Sequence, residues 1–146
     1  MRDPVLRNPT VILRQARTVA VVGCSTRPYK AAHRIPQQLQ ERGWRIIPVH
    51  PWAEEILGER AYRALADIPE PIDLVDVFRP SAETPGVARQ AVDVGAKALW
   101  LQLGISSPQA RRIAEEAGLD YVEDNCTGAL AARYGLSPDG SERAGG

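Results

Sequence analysis

Gly23-Cys24-Ser25-Thr26 closes an apolar run, Val19-Ala20-Val21-Val22, and Arg27, Lys30 and Arg34 follow closely. These residue types can hold a phosphate. A glycine lets the backbone approach a pyrophosphate, hydroxyls and free N–H groups donate to its oxygens, and cations beside a helix start favour its charge. Three basic residues on a solvated surface would read alike one by one. Their clustering in a chain of zero formal net charge favours a binding role.

Four more segments end apolar runs with polar residues, Gly or Pro. They are Val49-His50-Pro51, Phe78-Arg79-Pro80, Gln102-Leu103-Gly104 and Asp124-Asn125-Cys126. If the runs are parallel strands, these ends gather along one sheet edge, where open α/β folds bind ligands.

The chemistry that edge could perform is bounded. The dinucleotide fingerprint G-x-G-x-x-G is absent, because no glycine occurs between Gly23 and Gly43. A NAD site also wants an acid after the second strand, where this chain has His50-Pro51. NAD is disfavoured, while a variant NADP site using nearby arginines stays open. Thr26-Arg27 after Ser25 rules out the nucleophile elbow G-x-S-x-G. Of the two histidines, His33 is expected at the surface, and His50 suits either a ligand contact or loop packing. Asp73, Asp76, Glu123 and Asp124 form no metal motif, and the first two read as strand-end or supporting residues. Cys24 and Cys126 read as small buried thiols unless a lowered pKa makes one reactive. Trp44 and Trp100 suit packing, whereas Trp52, in a loop, could stack on a purine.

The elements that must position these residues alternate. Strands are expected at 19–22, 45–49, 72–78, 98–101 and 119–122. Helices are expected from about residue 10 to 17, then at 32–42, 82–94, 108–117 and 128–134. Pro36 fits the second helix only if it lies in the first turn. Ser107-Pro108 supplies an N-cap and a first-turn proline. Alternation of this kind implies right-handed crossovers and a doubly wound, Rossmann-like open parallel sheet of about five strands, with 3-2-1-4-5 as the expected order.

At 146 residues, with 44% hydrophobic and 25% charged, the chain suits one soluble globular domain. That domain is expected over residues 1–136, with 137–146 as a flexible tail. Zero net charge argues against nucleic acid or an anionic membrane as partner. Two widely spaced cysteines suggest a reducing cytoplasm, and residues 1–10 lack the apolar core of a signal peptide. The apolar runs are far too short to span a membrane.

In order and spacing, the chain resembles the small stand-alone CoA-binding proteins, relatives of the CoA-binding domain of the succinyl-CoA synthetase α subunit. The segments that carry the likeness are Val19 to Ser25, Ile47-Pro48-Val49-His50-Pro51, Leu57 to Tyr62, Ile72 to Arg79, Trp100 to Gly104 and Asp124-Asn125-Cys126. The resemblance implies coenzyme A as ligand. Gly23, Cys24, Ser25 and Thr26 would line the pyrophosphate, and Lys30 or Arg34 would neutralise it. Val49, His50 and Pro51 would border adenine, Phe78 and Arg79 the next strand end, and Gln102 and Gly104 the pantetheine side. The family usually has Asn where this chain has His50, and Arg where it has Asn125. The ligase's phosphorylated histidine belongs to a further domain, so the expectation is a non-catalytic or accessory module binding CoA or an acyl-CoA. An oxidoreductase or epimerase with a variant NAD(P) site is the alternative, and a vestigial-cleft interaction subunit a third. A homo-oligomer or protein partner is left open.

Overall fold

The computed structural model describes residues 8–140. Residues 1–7 and 141–146, where most of the signal-peptide reading and the end of the expected tail fall, lie outside the described residues.

The expected alternation is present. Helix α1 (Pro9–Gln15) starts at Asn8, whose side chain accepts the Val11 N–H, and leads into β1 (Thr18–Val22). Then come α2 (Ala31–Glu41), β2 (Arg45–Val49), and a short hairpin of β3 (Glu55–Ile56) and β4 (Glu59–Arg60). Next are β5 (Leu74–Val77), α3 (Thr84–Asp93), β6 (Ala98–Leu101), α4 (Pro108–Glu116), β7 (Asp120–Val122) and α5 (Thr127–Tyr134). Ser107 caps α4 through its side chain, with Pro108 in the first turn, as its sequence predicts.

Five strands form one parallel sheet in the order β2-β1-β5-β6-β7, a Rossmann-like α/β fold. Numbered along the chain, its strands lie 2-1-3-4-5, which corrects the expected 3-2-1-4-5. Pro48 supplies a physical reason. It has no N–H to give a ladder, so its strand belongs at a sheet edge, and β2 is one. The far side of β2 is covered by the hairpin segment, where Tyr62 N–H donates to Pro48 O at 3.0 Å and His50 N–H to Tyr62 O at 2.9 Å. The third strand is anchored beside β1 instead. Asp73 Oδ2 accepts the backbone N–H groups of Arg17 and Thr18 at 2.9 and 3.0 Å.

The sheet separates two apolar layers. Leu13 of α1, Leu39 of α2 and Ala131 of α5 pack on one face with Trp44 and Trp100. Val87 and Ala91 of α3 and Ala110 and Ala114 of α4 pack on the other. The indole of Trp44 donates to the carbonyls of Leu13 and Ala16, and that of Trp100 to Asn125 O, so both buried rings satisfy their one polar group. The expected boundary at 136/137 is not where packing ends. Pro138 is buried, and Asp139 N–H donates to Arg14 O at 2.8 Å while its carbonyl accepts from the Arg17 guanidinium.

Candidate functional site

The loop after β1 is held in shape by the helix that follows it, and a proline inside that helix makes this possible. Pro36 lies in the interior of α2, not in its first turn as expected. Having no N–H, it leaves the carbonyl four residues back, that of Ala32, without its helical donor. Ser25 N–H fills the vacancy at 3.1 Å. The Ser25 carbonyl in turn accepts from His33 Nδ1 at 2.8 Å, and its Oγ accepts Arg27 N–H at 3.0 Å. His33 is thus half-buried and structural, which corrects the expected surface position.

Gly23 has φ +88°, and a Cβ there would fall 2.8 Å from the Phe78 carbonyl oxygen and 2.8 Å from Arg79 Cδ. Close approach between the ends of β1 and β5 therefore demands glycine. Lys30, at the N-cap of α2, makes no capping side-chain bond to the first N–H groups of the helix. Arg34, one turn on, donates to Tyr29 O at 2.7 Å. Lys30 and Arg34 thus stand at the start of α2, with Ser25 hydrogen-bonded to the Ala32 carbonyl, an arrangement that favours an anion.

Beside it, between α2 and the ends of β5 and β6, lies a cavity of about 530 Å³. Of the sequence-predicted residues, Lys30, Arg34, Phe78 and Gln102 line it, and so does Cys126; Ala31, Ala32, Ile35, Leu103 and Ile105 complete the wall. The apolar lining with few polar groups is typical of a small-molecule pocket. Val49, His50, Pro51, Arg79 and Gly104 lie outside it. Arg79 is tied to Glu83 through two hydrogen bonds, and Gly104 N–H donates to Asp124 Oδ1 at 2.7 Å. Cys24 is 1% exposed, and burial, with Asp76 nearby, pushes its thiol up to about 12.

The buried polar cluster behind Gln102 was the least visible part in sequence. Asp76 is fully buried in β5, and Gln102 Nε2 donates to its Oδ1 at 2.6 Å and to Thr127 Oγ1 at 2.7 Å. Thr127 Oγ1 donates to Asp76 Oδ2 at 3.3 Å. Burial raises the Asp76 carboxyl to about 7, and the bonds from Gln102 and Thr127 restrain the rise. A lone acid within the apolar stretch Leu74-Val75-Asp76-Val77 was the available signal.

At the end of β2, His50 Nδ1 accepts the backbone N–H groups of Trp52 and Ala53 at 3.2 and 3.0 Å. That is the turn an Asn side chain makes with its own amide oxygen, so His50 does the work of an Asn at this position. Trp52 stands exposed, its ring edge-on to His50 at 4.6 Å.

This geometry is matched by sequence. The family model described as a CoA binding domain covers residues 17–132. The chain belongs to the CoA binding domain family. YneT of Bacillus subtilis is 36% identical over 126 residues, spanning 86% of this chain and 93% of that protein. A cell-free-expressed protein of Thermus thermophilus, ID.343, superposes with a TM-score of 0.81 at 37% identity, covering 91% of this chain and 98% of that one. The ADP-forming acetate–CoA ligase of Methanocaldococcus jannaschii is 25% identical over 129 residues, and there the match is 83% of this chain but only 18% of the ligase. No helix among the described residues of this CoA binding domain is long and apolar enough to cross a membrane.

The His50 turn gives a test within the domain. Burial, with Arg63 nearby, holds His50 below its ordinary 6.5, so the folded chain favours the neutral ring. As pH falls below about 6.5 the unfolded chain takes up this proton first, and stability drops until the folded ring also titrates. His50→Asn should keep stability at pH 7.5 within about 1 kcal/mol of wild type, because an amide oxygen accepts the same bonds. Its stability relative to wild type should also rise on going to pH 5.5. Urea unfolding at both pH values measures this, and an identical pH response in the two proteins would contradict it.

Proposed function

We propose that this chain is a non-catalytic or accessory module that binds CoA or an acyl-CoA across the carboxyl edge of its sheet. One observation carries the reading: the start of α2, with the cations Lys30 and Arg34, lines an apolar cavity of about 530 Å³, in a domain that matches the CoA binding family. A nucleotide with a long, weakly polar arm needs both parts.

The residues divide by chemistry. Backbone at Gly23, Cys24, Ser25 and Thr26, with the open start of α2, meets the pyrophosphate, while Lys30 and Arg34 neutralise it. Val49, His50 and Pro51 border the adenine side at the end of β2, where exposed Trp52 offers a ring face. The pantetheine arm then runs past Phe78 to Gln102, near Gly104. Arg79 contributes its stem, since its head is held by Glu83. Both histidine Nδ1 atoms are occupied in backbone hydrogen bonds, which suits structural rather than proton-transfer roles.

A melting-temperature screen tests the reading. CoA and acetyl-CoA should raise the transition, because a ligand that binds only the folded state at 100-fold over its Kd adds about 2.7 kcal/mol. NAD and NADPH should leave it unchanged. A shift with NADPH and none with CoA would transfer the site to the oxidoreductase or epimerase reading, and no shift with any of them would leave an interaction subunit.

A further inference from the structure

The cavity that Lys30 and Arg34 line also has a wall built by Gln102, Leu103, Ile105 and Cys126. Gln102 is only 4% exposed, and both hydrogens of its Nε2 are used on Asp76 and Thr127. An ionised carboxylate accepts only, which fixes the amide with nitrogen inward. Among the described residues its Oε1 has no protein partner, yet no buried side-chain polar atom there lacks one. Oε1 must therefore be open to the cavity that Gln102 lines. A nearly buried, fixed acceptor with nothing to accept from marks a place for a ligand donor.

Cys126 lines the same wall, immediately before Thr127 of that network. It is half-buried, and its Sγ accepts Ala129 N–H at 3.4 Å as the N-cap of α5, which holds the sulfur in place. The other thiol does not compete: Cys24 is 1% exposed and lies within the apolar core. Both are free thiols.

We propose that Cys126 is a thiol–disulfide exchange site, at which a CoA disulfide seated on the phosphate loop transfers one CoA to the protein as a mixed disulfide. The proposal rests on the CoA reading and extends it to a covalent, redox-dependent form of that site. The arm lies in the cavity with an amide N–H donating to Gln102 Oε1, and its sulfur reaches Cys126 Sγ. Cys126, as thiolate, attacks that sulfur along the S–S axis. The disulfide of the reagent breaks, the Cys126–CoA disulfide forms, and the second CoA departs as a thiolate, taking up the proton that Cys126 gave to solvent. One disulfide is consumed and one made, so no other oxidant is required. Reduced CoA cannot make the adduct with reduced Cys126.

The test compares CoA disulfide with glutathione disulfide at equal concentration on the reduced full chain, followed by intact mass and peptide mapping. The expected product carries one CoA per chain, mapped to Cys126, absent in Cys126→Ser and removed by dithiothreitol. It should form at least about ten-fold faster than the glutathione adduct, because a seated nucleotide raises the local concentration of its own sulfur. Equal rates from the two reagents would show an ordinary accessible thiol and overturn the proposal, as would an adduct mapped to Cys24. The melting screen on wild-type protein separates the two failures. A CoA-induced shift without an adduct overturns the exchange site alone, whereas neither shift nor adduct overturns the CoA reading and this proposal with it.

Discussion

Gly23→Ala is expected to destabilise the fold by roughly 2–5 kcal/mol and to weaken CoA binding by more than about ten-fold. Two costs add. A left-handed backbone at φ +88° costs a residue with a Cβ about 1–2 kcal/mol. The new methyl would also sit 2.8 Å from the Phe78 carbonyl oxygen and 2.8 Å from Arg79 Cδ. Arg79 can swing away by releasing Glu83, but the Phe78 backbone cannot, because its N–H is bound to Val22 O at 2.9 Å. The ends of β1 and β5 must then part, and overpacking of this kind costs about 1–3 kcal/mol. The displacement falls at the root of the loop that carries Ser25, so the helix start and its phosphate contacts move with it. Gly104→Ala is the control. Its φ is +83° but no atom lies within 4 Å of its added Cβ, so only the conformational cost applies. Urea unfolding and a CoA titration on both variants measure the difference. Equal losses would show that the β1–β5 contact relaxes freely.

The parts of the site that were legible in sequence are those whose chemistry is local. A glycine ending an apolar strand, hydroxyls after it and cations one helical turn apart announce a phosphate loop wherever the strand ends. Alternating runs likewise announce a parallel sheet. What could not be read depends on partners distant along the chain. The strand order differs from the one alternation suggests, although Pro48 marks β2 as an edge, because an edge is defined by what lies on its other side, here Tyr62. Pro36 read as a defect in a helix, and its use, freeing the Ala32 carbonyl for Ser25, is visible only when loop and helix are seen together. His50 read as a departure from Asn until its Nδ1 was found accepting the same pair of N–H groups. The buried polar cluster behind the cavity joins three elements through Asp76, Gln102 and Thr127, and only Gln102 stands at a strand end where a ligand contact is sought.

Asp76 should make the fold lose stability as pH rises from about 4 to about 7, by on the order of 4 kcal/mol across the window. The carboxyl sits in the middle of β5, wholly buried, and its side-chain partners are an amide and a hydroxyl rather than a cation. Burial lifts it from 3.8 to about 7, so between those values the folded chain holds a proton that the unfolded chain has released. Stability is highest below the window, declines through it, and is level above. Asp76→Asn removes the titration while keeping an oxygen for Gln102 Nε2. Its stability, measured by urea unfolding from pH 4 to pH 8, should diverge upward from wild type across the window. Parallel curves would mean that Gln102 and Thr127 compensate the buried charge in full. The same ionisation governs the cavity wall. The carboxylate, as an acceptor only, turns the amide nitrogen of Gln102 inward and its oxygen toward the ligand. A protonated Asp76 must donate, and Gln102 Oε1 can take that hydrogen only if the amide turns over. CoA affinity in the wild type should therefore fall on acidification through pH 7, against the rise in stability over the same interval. Affinity and stability that fell together would instead indicate general acid weakening of the fold.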